Sequence, residues 1–185
     1  MTSDVATGGQ AAVLDRVARP DCALAIWERR PSPVLAGALT MLYLDTVDDI
    51  AVELAADATL EDALQAAGYP DAAIDPIAAD IGLLVRHHAA LTGSARLALR
   101  LEVVETDACR RFHADYTTLR LLCSYVGPAT QWHRLAEPDL IHQVPTGAVA
   151  VFKGRLLLDP PTVLHRSPPI AAHGGRRLML VLDPS

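Results

Sequence analysis

The spacing of hydrophobic residues changes abruptly at Gly93, and this change limits the folds that the chain can adopt. Before it, apolar residues in the segment 34–92 recur at helical intervals, as in "DPIAADIGLLVRHHAALTG", which ends in a glycine typical of a helix terminus. After it, "ARLALRLEVVE" places leucine or valine at every second position, which is the period of a strand. The sequence therefore predicts an α+β protein with a mainly helical first half and an antiparallel β-rich second half.

The second half consists of short apolar runs separated by glycine and proline. These runs are "TTLRLLCSYV", "GAVAVFKG", "TVLHRSPP" and "HGGRRLMLVLDPS", and each is bounded as strands are. Residues 21–30 predict one short strand in the first half, whereas residues 1–20 predict an irregular start. A length of 185 residues without a linker predicts one domain, 1–185, in which 1–93 covers a β-rich core formed by 94–185.

Charge and composition exclude several classes of protein. The net charge of −6 argues against a nucleic-acid partner, because phosphates require a basic surface. No run of about 18 apolar residues predicts a membrane span, and the N-terminus "MTSDVATGGQ" does not resemble a signal peptide. Three cysteines without such a signal predict a cytoplasmic protein rather than a disulfide framework.

Polar residues cluster at the ends of the predicted strands of the second half. His113 and Asp115 precede one strand, and residues two apart on an extended backbone point the same way. His165 ends another strand about fifty residues later, and a jelly roll brings such non-sequential strands together. Two histidines and one carboxylate form the facial triad of non-haem iron(II) oxygenases, and Arg176 or Arg177 is suited to bind the carboxylate of a cosubstrate.

Residues 112–182 resemble the core of the iron(II)- and 2-oxoglutarate-dependent dioxygenases, especially the prolyl-hydroxylase-like branch. The matching segments are "FHADYTTLRLLCSYVG", "GPATQW", "QVPTGAVAVF", "LHRSPPI" and "GGRRLMLVLD", in the order of that family. The resemblance implies an antiparallel jelly-roll (double-stranded β-helix) barrel, on which the helical N-terminal half packs. The blocks "RLLC-x-Y-x-GP", "KG" and "HRSPP" also resemble an uncharacterised bacterial family without an assigned activity, some members of which are associated with zinc-responsive genes.

The resemblance to the dioxygenases also implies roles for individual residues. His113, Asp115 and His165 fall on the metal ligands of that family. Its carboxylate-binding arginine falls on Arg176 if "GGR" is the matching motif and on Arg177 if "GRR" is. Tyr125, two residues after Cys123, is expected to offer its hydroxyl to the cosubstrate.

Two functions are therefore open. The first is an oxygenase that uses iron(II) and 2-oxoglutarate to oxidise a small molecule or a side chain. The second is a non-catalytic zinc protein of metal homeostasis, in which Cys109 joins His113, Asp115 and His165 in a closed four-ligand site. In either case residues 34–92 are expected to shape the pocket or to form a homodimer contact.

Overall fold

The structure, a computed structural model, describes residues 4–171 and 175–185, so that Gly174 of the "GGRR" segment lies outside the described residues. These described residues contain a 3-10 helix at Ala11–Ala18 and three α-helices: α1, Pro33–Thr40; α2, Glu61–Ala66; and α3, Asp71–Thr92. Its strands are β1, Val5–Gly8; β2, Leu24–Trp27; β3, Ile50–Ala55; β4, Arg96–Val104; β5, Leu119–Val126; β6, Gln131–Arg134; β7, His142–Gln143; β8, Val149–Lys153; β9, Val163–Arg166; and β10, Arg177–Pro184. No helix of these residues is long and apolar enough to cross a membrane.

The strands form two sheets. The large sheet has the order β1-β2-β8-β5-β10-β4-β3, and the small sheet has the order β7-β6-β9. All of the pairings are antiparallel except the pairing of β1 with β2. This mixed α/β arrangement confirms the predicted combination of helices with an antiparallel sheet.

The two faces of the large sheet have different neighbours. Leu121 of β5 and Leu180 of β10 belong to a core that includes Ile77 and Leu84 of α3, so this face packs against the helices. Alternate residues point the other way and pack against Trp132 of β6, in the small sheet. The space between the two sheets is therefore where side chains from both can meet.

The expectations for the first half are wrong in two places. "VDDIAVELAAD" was expected to be helical, but Ile50–Ala55 form β3 and pair with β4 from Ile50↔Leu101 to Ala55↔Arg96. Pairing with β4 at the edge of the large sheet outweighs local helix propensity here, and β-branched Ile50 and Val52 suit a strand. The N-terminal segment is also ordered, because Val5–Gly8 pair with β2. The first half therefore adds three strands to the large sheet as well as the helices that cover it.

The second half follows the sequence closely. All four of its quoted apolar runs contain a strand, and the segment "ARLALRLEVVE" forms β4. The preceding helix α3 ends at Gly93, whose φ of 68° lies in the left-handed region that favours glycine.

Candidate metal and cosubstrate site

Backbone pairing brings the two candidate histidines together. The amide of His113 donates to the carbonyl of His165 at 3.0 Å, and the amide of His165 donates to that of His113 at 2.9 Å. His113 therefore extends the small sheet beside β9, and Asp115 follows two residues later. The sequence spacing alone could not show this pairing, because it joins residues about fifty positions apart.

The side chains of His113, Asp115 and His165 converge. Among the described residues they form a cluster whose ligand atoms all lie within 4.8 Å of one another. Nε2 of His165 lies 3.1 Å from Oδ2 of Asp115, and Nε2 of His113 lies 3.6 Å from Oδ1. Two ligands that bind one metal at right angles are about 3 Å apart, so these separations fit a shared ion.

The protonation of His165 and Asp115 also suits a metal, whereas the hydrogen bond with the Asp115 carboxylate raises the pKa of His113. Nδ1 of His113 lies 2.8 Å from the carbonyl of Arg111; a proton on Nδ1 donates this hydrogen bond and leaves the lone pair on Nε2. Burial lowers the pKa of His165, which keeps this imidazole neutral. Burial alone would raise the pKa of Asp115, but the nearby histidines and the charge of Arg120 outweigh it and hold that pKa well below its usual range.

Oδ2 of Asp115 is buried and accepts no hydrogen bond from the described part of the chain, although His165 is near it. A buried carboxylate oxygen without a donor is costly unless a ligand satisfies it. Two imidazole nitrogens with one such oxygen are the donor set of non-haem iron(II) sites. The residues therefore fit an iron(II) ion, held by His113, Asp115 and His165.

A cavity of about 140 Å³ opens beside the cluster, between the two sheets. Residues of both sheets line it, namely Arg100, Glu102, Cys109, His113, Asp115, Arg120, Leu122, Thr130, His165, Arg166, Ser167, Met179 and Val181. Polar groups beside a metal cluster and an apolar wall of leucine, methionine and valine are typical of a small-molecule site.

The two adjacent arginines have different environments. Arg177 is fully buried; its Nη1 donates to Oγ of Ser167 at 2.8 Å and its Nη2 to Oγ of Ser124 at 3.1 Å. Burial lowers the pKa of Arg177 to about 10, which still leaves it charged at neutral pH. Arg176 is exposed and forms ion pairs with Glu105 and Asp45. Of the two candidates, only Arg177 lies behind the cavity wall formed by Ser167 and Met179.

Tyr125 does not face the cavity, where its hydroxyl was expected to meet the cosubstrate. Its hydroxyl donates to Oδ2 of Asp80 on α3 at 2.7 Å, and the ring belongs to the core beneath the helices. The reason is the period of two along β5: Arg120 and Leu122 line the cavity, so Tyr125 points to the opposite face. The prediction that its hydroxyl meets the cosubstrate is therefore wrong.

Cys109 lies at the rim of the cavity. Its side chain is exposed, and it is not a member of the three-residue cluster. Its carbonyl accepts a hydrogen bond from the amide of Ser167 at 2.9 Å, so its backbone helps to hold the segment after β9. A closed site with Cys109 as fourth ligand finds no support in this arrangement.

Two glycines of the motif blocks allow close backbone contacts around the site. A Cβ on Gly154 of "FKG" would lie 2.1 Å from the carbonyl oxygen of Thr117, in the segment that carries Asp115. A Cβ on Gly127 of "YVGP" would lie 2.3 Å from the carbonyl oxygen of Arg176, and its φ of 80° also favours glycine. These glycines thus let the chain approach Asp115 and Arg177 closely.

Four residues near the cluster escaped the sequence interpretation. Ser124 and Ser167 bond Arg177, whereas Arg120 contacts Asp115 and is itself bound by Asp183. The period of two would have revealed them, because Ser167 follows His165 by two positions and Asp183 follows Arg177 by six.

The chain belongs to a protein family of unknown function, DUF1826, whose profile matches residues 8–183. This agrees with the expected membership of an uncharacterised family. No curated protein sequence matches the chain.

Its fold is similar to that of several oxygenases of known structure. A rice dioxygenase for auxin oxidation is 16% identical with a TM-score of 0.54, over 99% of this chain and 83% of the other. A prolyl-4-hydroxylase from Pseudomonas putida is 18% identical with a TM-score of 0.50, over 95% and 98% of the two chains. A prolyl 4-hydroxylase from Phytophthora capsici is 17% identical with a TM-score of 0.52, over 95% of this chain and 63% of the other. The resemblance to prolyl hydroxylases is thus confirmed for the fold.

Proposed function

We propose that this protein is a non-haem iron(II) oxygenase that uses 2-oxoglutarate to oxidise a small molecule or a side chain. His113, Asp115 and His165 would hold the iron, and Arg177 would bind the distal carboxylate of 2-oxoglutarate. When bound, the iron supplies the redox chemistry of an oxygen-dependent oxidation. The roles of the protein residues are to hold the metal, to orient the cosubstrate and to line the site that receives the substrate.

The observation that carries the proposal is the guanidinium of Arg177. It is fully buried, and among the described residues only neutral groups accept its hydrogen bonds and none pairs with its Nε. A buried charge without a counter-ion is unfavourable. The presence of arginine at this buried position therefore indicates that a bound anion neutralises its guanidinium. A dicarboxylate that reaches both this arginine and the metal cluster satisfies the requirement. A zinc-storage site has no use for such a cation.

The path of the chain supports a jelly roll as part of the proposal. After β4 of the large sheet the chain passes to His113, which pairs with β9 in the small sheet. It then returns to β5 and alternates between the sheets through β6 and β7, β8, β9 and finally β10. This alternation is characteristic of a double-stranded β-helix. The proposed location is the cytoplasm, in keeping with three cysteines that form no disulfide.

The decisive experiment combines metal analysis with a turnover assay. Protein reconstituted anaerobically with iron(II) should release succinate from 2-oxoglutarate in an oxygen-dependent manner, even without the substrate. Asp115→Ala and His165→Ala should lose iron and this activity, whereas Arg176→Gln should retain both. Zinc as the bound metal, together with no turnover after iron reconstitution, would support the non-catalytic alternative instead.

A further inference from the structure

The two oxygens of the Asp115 carboxylate have different surroundings. Oδ1 accepts a hydrogen bond from Nη1 of Arg120 at 2.5 Å, whereas Oδ2 is buried and accepts none from residues 4–171 and 175–185. Oδ2 is also the oxygen nearer to His165, at 3.1 Å from its Nε2. The guanidinium of Arg120 therefore occupies one oxygen, which is also the one nearer to His113, whereas the other oxygen faces His165.

Arg120 is in turn fixed by a second carboxylate. Its Nε donates to Oδ1 of Asp183 at 2.7 Å, and its Nη2 donates to Oδ2 at 2.8 Å. Such a two-point pair fixes the plane of the guanidinium, which leaves Nη1 directed at Asp115. The side chains of Arg120 and Asp183 are 22% and 17% exposed, so that solvent screens the pair only in part.

The sheet register accounts for this arrangement. Leu121 of β5 lies opposite Leu182 of β10, so Arg120 and Asp183, the next residues along, come together on the face that lines the cavity. This face also carries Met179 and Val181. The pair is thus part of the floor beneath the metal cluster and belongs to two central strands.

We propose that Arg120, held by Asp183, is a positioning residue that reserves Oδ2 of Asp115 for the metal and makes Asp115 a one-oxygen ligand. A carboxylate torsion is broad and nearly two-fold, so an unrestrained Asp115 could present either oxygen or both. A ligand that binds through both oxygens fills a position that a three-ligand iron site leaves open. The inference rests on the metal site of the proposed function, but not on 2-oxoglutarate or on turnover.

The test is metal binding by a double variant, Arg120→Leu/Asp183→Asn, with Mn(II) and Co(II) as separate probes. Removal of both members leaves the net charge near the metal unchanged, so a change in affinity reports positioning and not charge. Partners of metal-bound carboxylates typically contribute 10–100-fold to metal affinity, and we expect a loss of roughly that size for Mn(II). The visible spectrum of bound Co(II) should also change, because the coordination of Asp115 changes.

The matched control is Arg100→Leu/Glu102→Gln. These residues line the same cavity and form a similar neutral pair at 2.9 Å, without a contact to Asp115. Arg100 also lies 3.9 Å from Oδ2 of Asp183, beyond hydrogen-bond distance, so the two hydrogen bonds from Arg120 to Asp183 do not depend on it. Their removal should leave Mn(II) affinity and the Co(II) spectrum as in the wild type. Circular dichroism of each metal-free variant separates a loss of affinity from a loss of fold.

A conservative variant provides a second test if the double variant does not fold. In Arg120→Lys the ammonium keeps the charge but cannot bind Asp183 at two points and also reach Asp115. Its Co(II) spectrum should therefore differ from that of the wild type although its charge is the same. A wild-type spectrum and affinity in either Arg120 variant would overturn the inference alone, whereas wild-type protein that binds neither metal would overturn the proposed function with it.

Discussion

Arg176 and Arg177 are adjacent in sequence, yet Arg177 is fully buried beneath the cavity while 42% of the Arg176 side chain is exposed. Arg177 begins β10, where its side chain points between the sheets with those of Met179 and Val181. Arg176 precedes the strand and meets Glu105 and Asp45 at the surface. Two neighbouring residues therefore have different environments: Arg177 is a candidate anion-binding group, and Arg176 is a surface charge.

This difference predicts opposite effects of Arg177→Met on binding and on stability. Affinity for 2-oxoglutarate, measured by calorimetry on Mn(II)-loaded protein, should fall roughly 100-fold, because a buried ionic contact is removed. The free energy of unfolding of the unliganded protein should rise by about 1 kcal/mol, because an unpaired buried charge is removed.

The control for this prediction is Arg176→Met, which retains the affinity of the wild type. Unchanged affinity in Arg177→Met would contradict the assignment of Arg177. A large loss of stability in the same variant would instead indicate that its bonds to Ser124 and Ser167 stabilise the fold.

Replacement of Cys109 by serine should leave metal binding unchanged. Its side chain lies at the cavity rim outside the cluster of His113, Asp115 and His165, and its contribution to the local structure is a backbone carbonyl. Metal content after purification and Mn(II) affinity should equal those of the wild type. A loss of metal from Cys109→Ser, with metal retained in Cys22→Ser, would revive the closed zinc site.

Tyr125→Phe should destabilise the protein without a change in cosubstrate affinity. The lost hydroxyl donates to Asp80, which also forms a two-point pair with Arg29, and a bond to a charged group contributes about 2 kcal/mol. Urea unfolding measures this loss. The matched control is Tyr69→Phe, since the hydroxyl of Tyr69 is buried without a partner and its removal should cost nothing. Weaker 2-oxoglutarate binding in Tyr125→Phe would contradict the observed orientation.

The sequence predicted which side chains converge better than it predicted the first half of the fold. The sequence alone identified His113, Asp115 and His165, because polar residues at the ends of apolar strands are easy to recognise. A period of two also places His113 and Asp115 on the same side of the chain. Strand β3 could not be predicted from the local sequence, because its pairing with β4 depends on residues about fifty positions away. Local propensity cannot record such a contact.

The orientation of β5 shows why side-chain direction was harder to predict than strand position. Both faces of this central strand are buried, so its run of leucine, cysteine and tyrosine has no polar alternation to mark the cavity side. Arg120 is the single charged residue of the strand, and it faces the cavity together with Leu122. Residues an even number of positions from Arg120 share its face of the strand, and Tyr125 is five positions away. With Arg120 taken to mark the cavity face, Tyr125 is therefore predicted to face the helices.

The free energy of unfolding should decrease as the pH is lowered, because His88 takes up a proton more readily in the unfolded chain. This residue of α3 is fully buried, and burial lowers its pKa from 6.5 to about 4. Between these values the unfolded chain binds a proton that the folded chain does not, so the free energy of unfolding decreases as the pH falls from about 6.5 to about 4. The full difference amounts to about 3 kcal/mol.

In His88→Leu, this part of the pH dependence should disappear, whereas His87→Leu, at a partly exposed position beside Asp15, should retain it. Urea unfolding of the metal-free proteins at pH 4.5, 5.5 and 7 provides the measurement, and equal pH slopes for wild type and His88→Leu would contradict a neutral, buried His88.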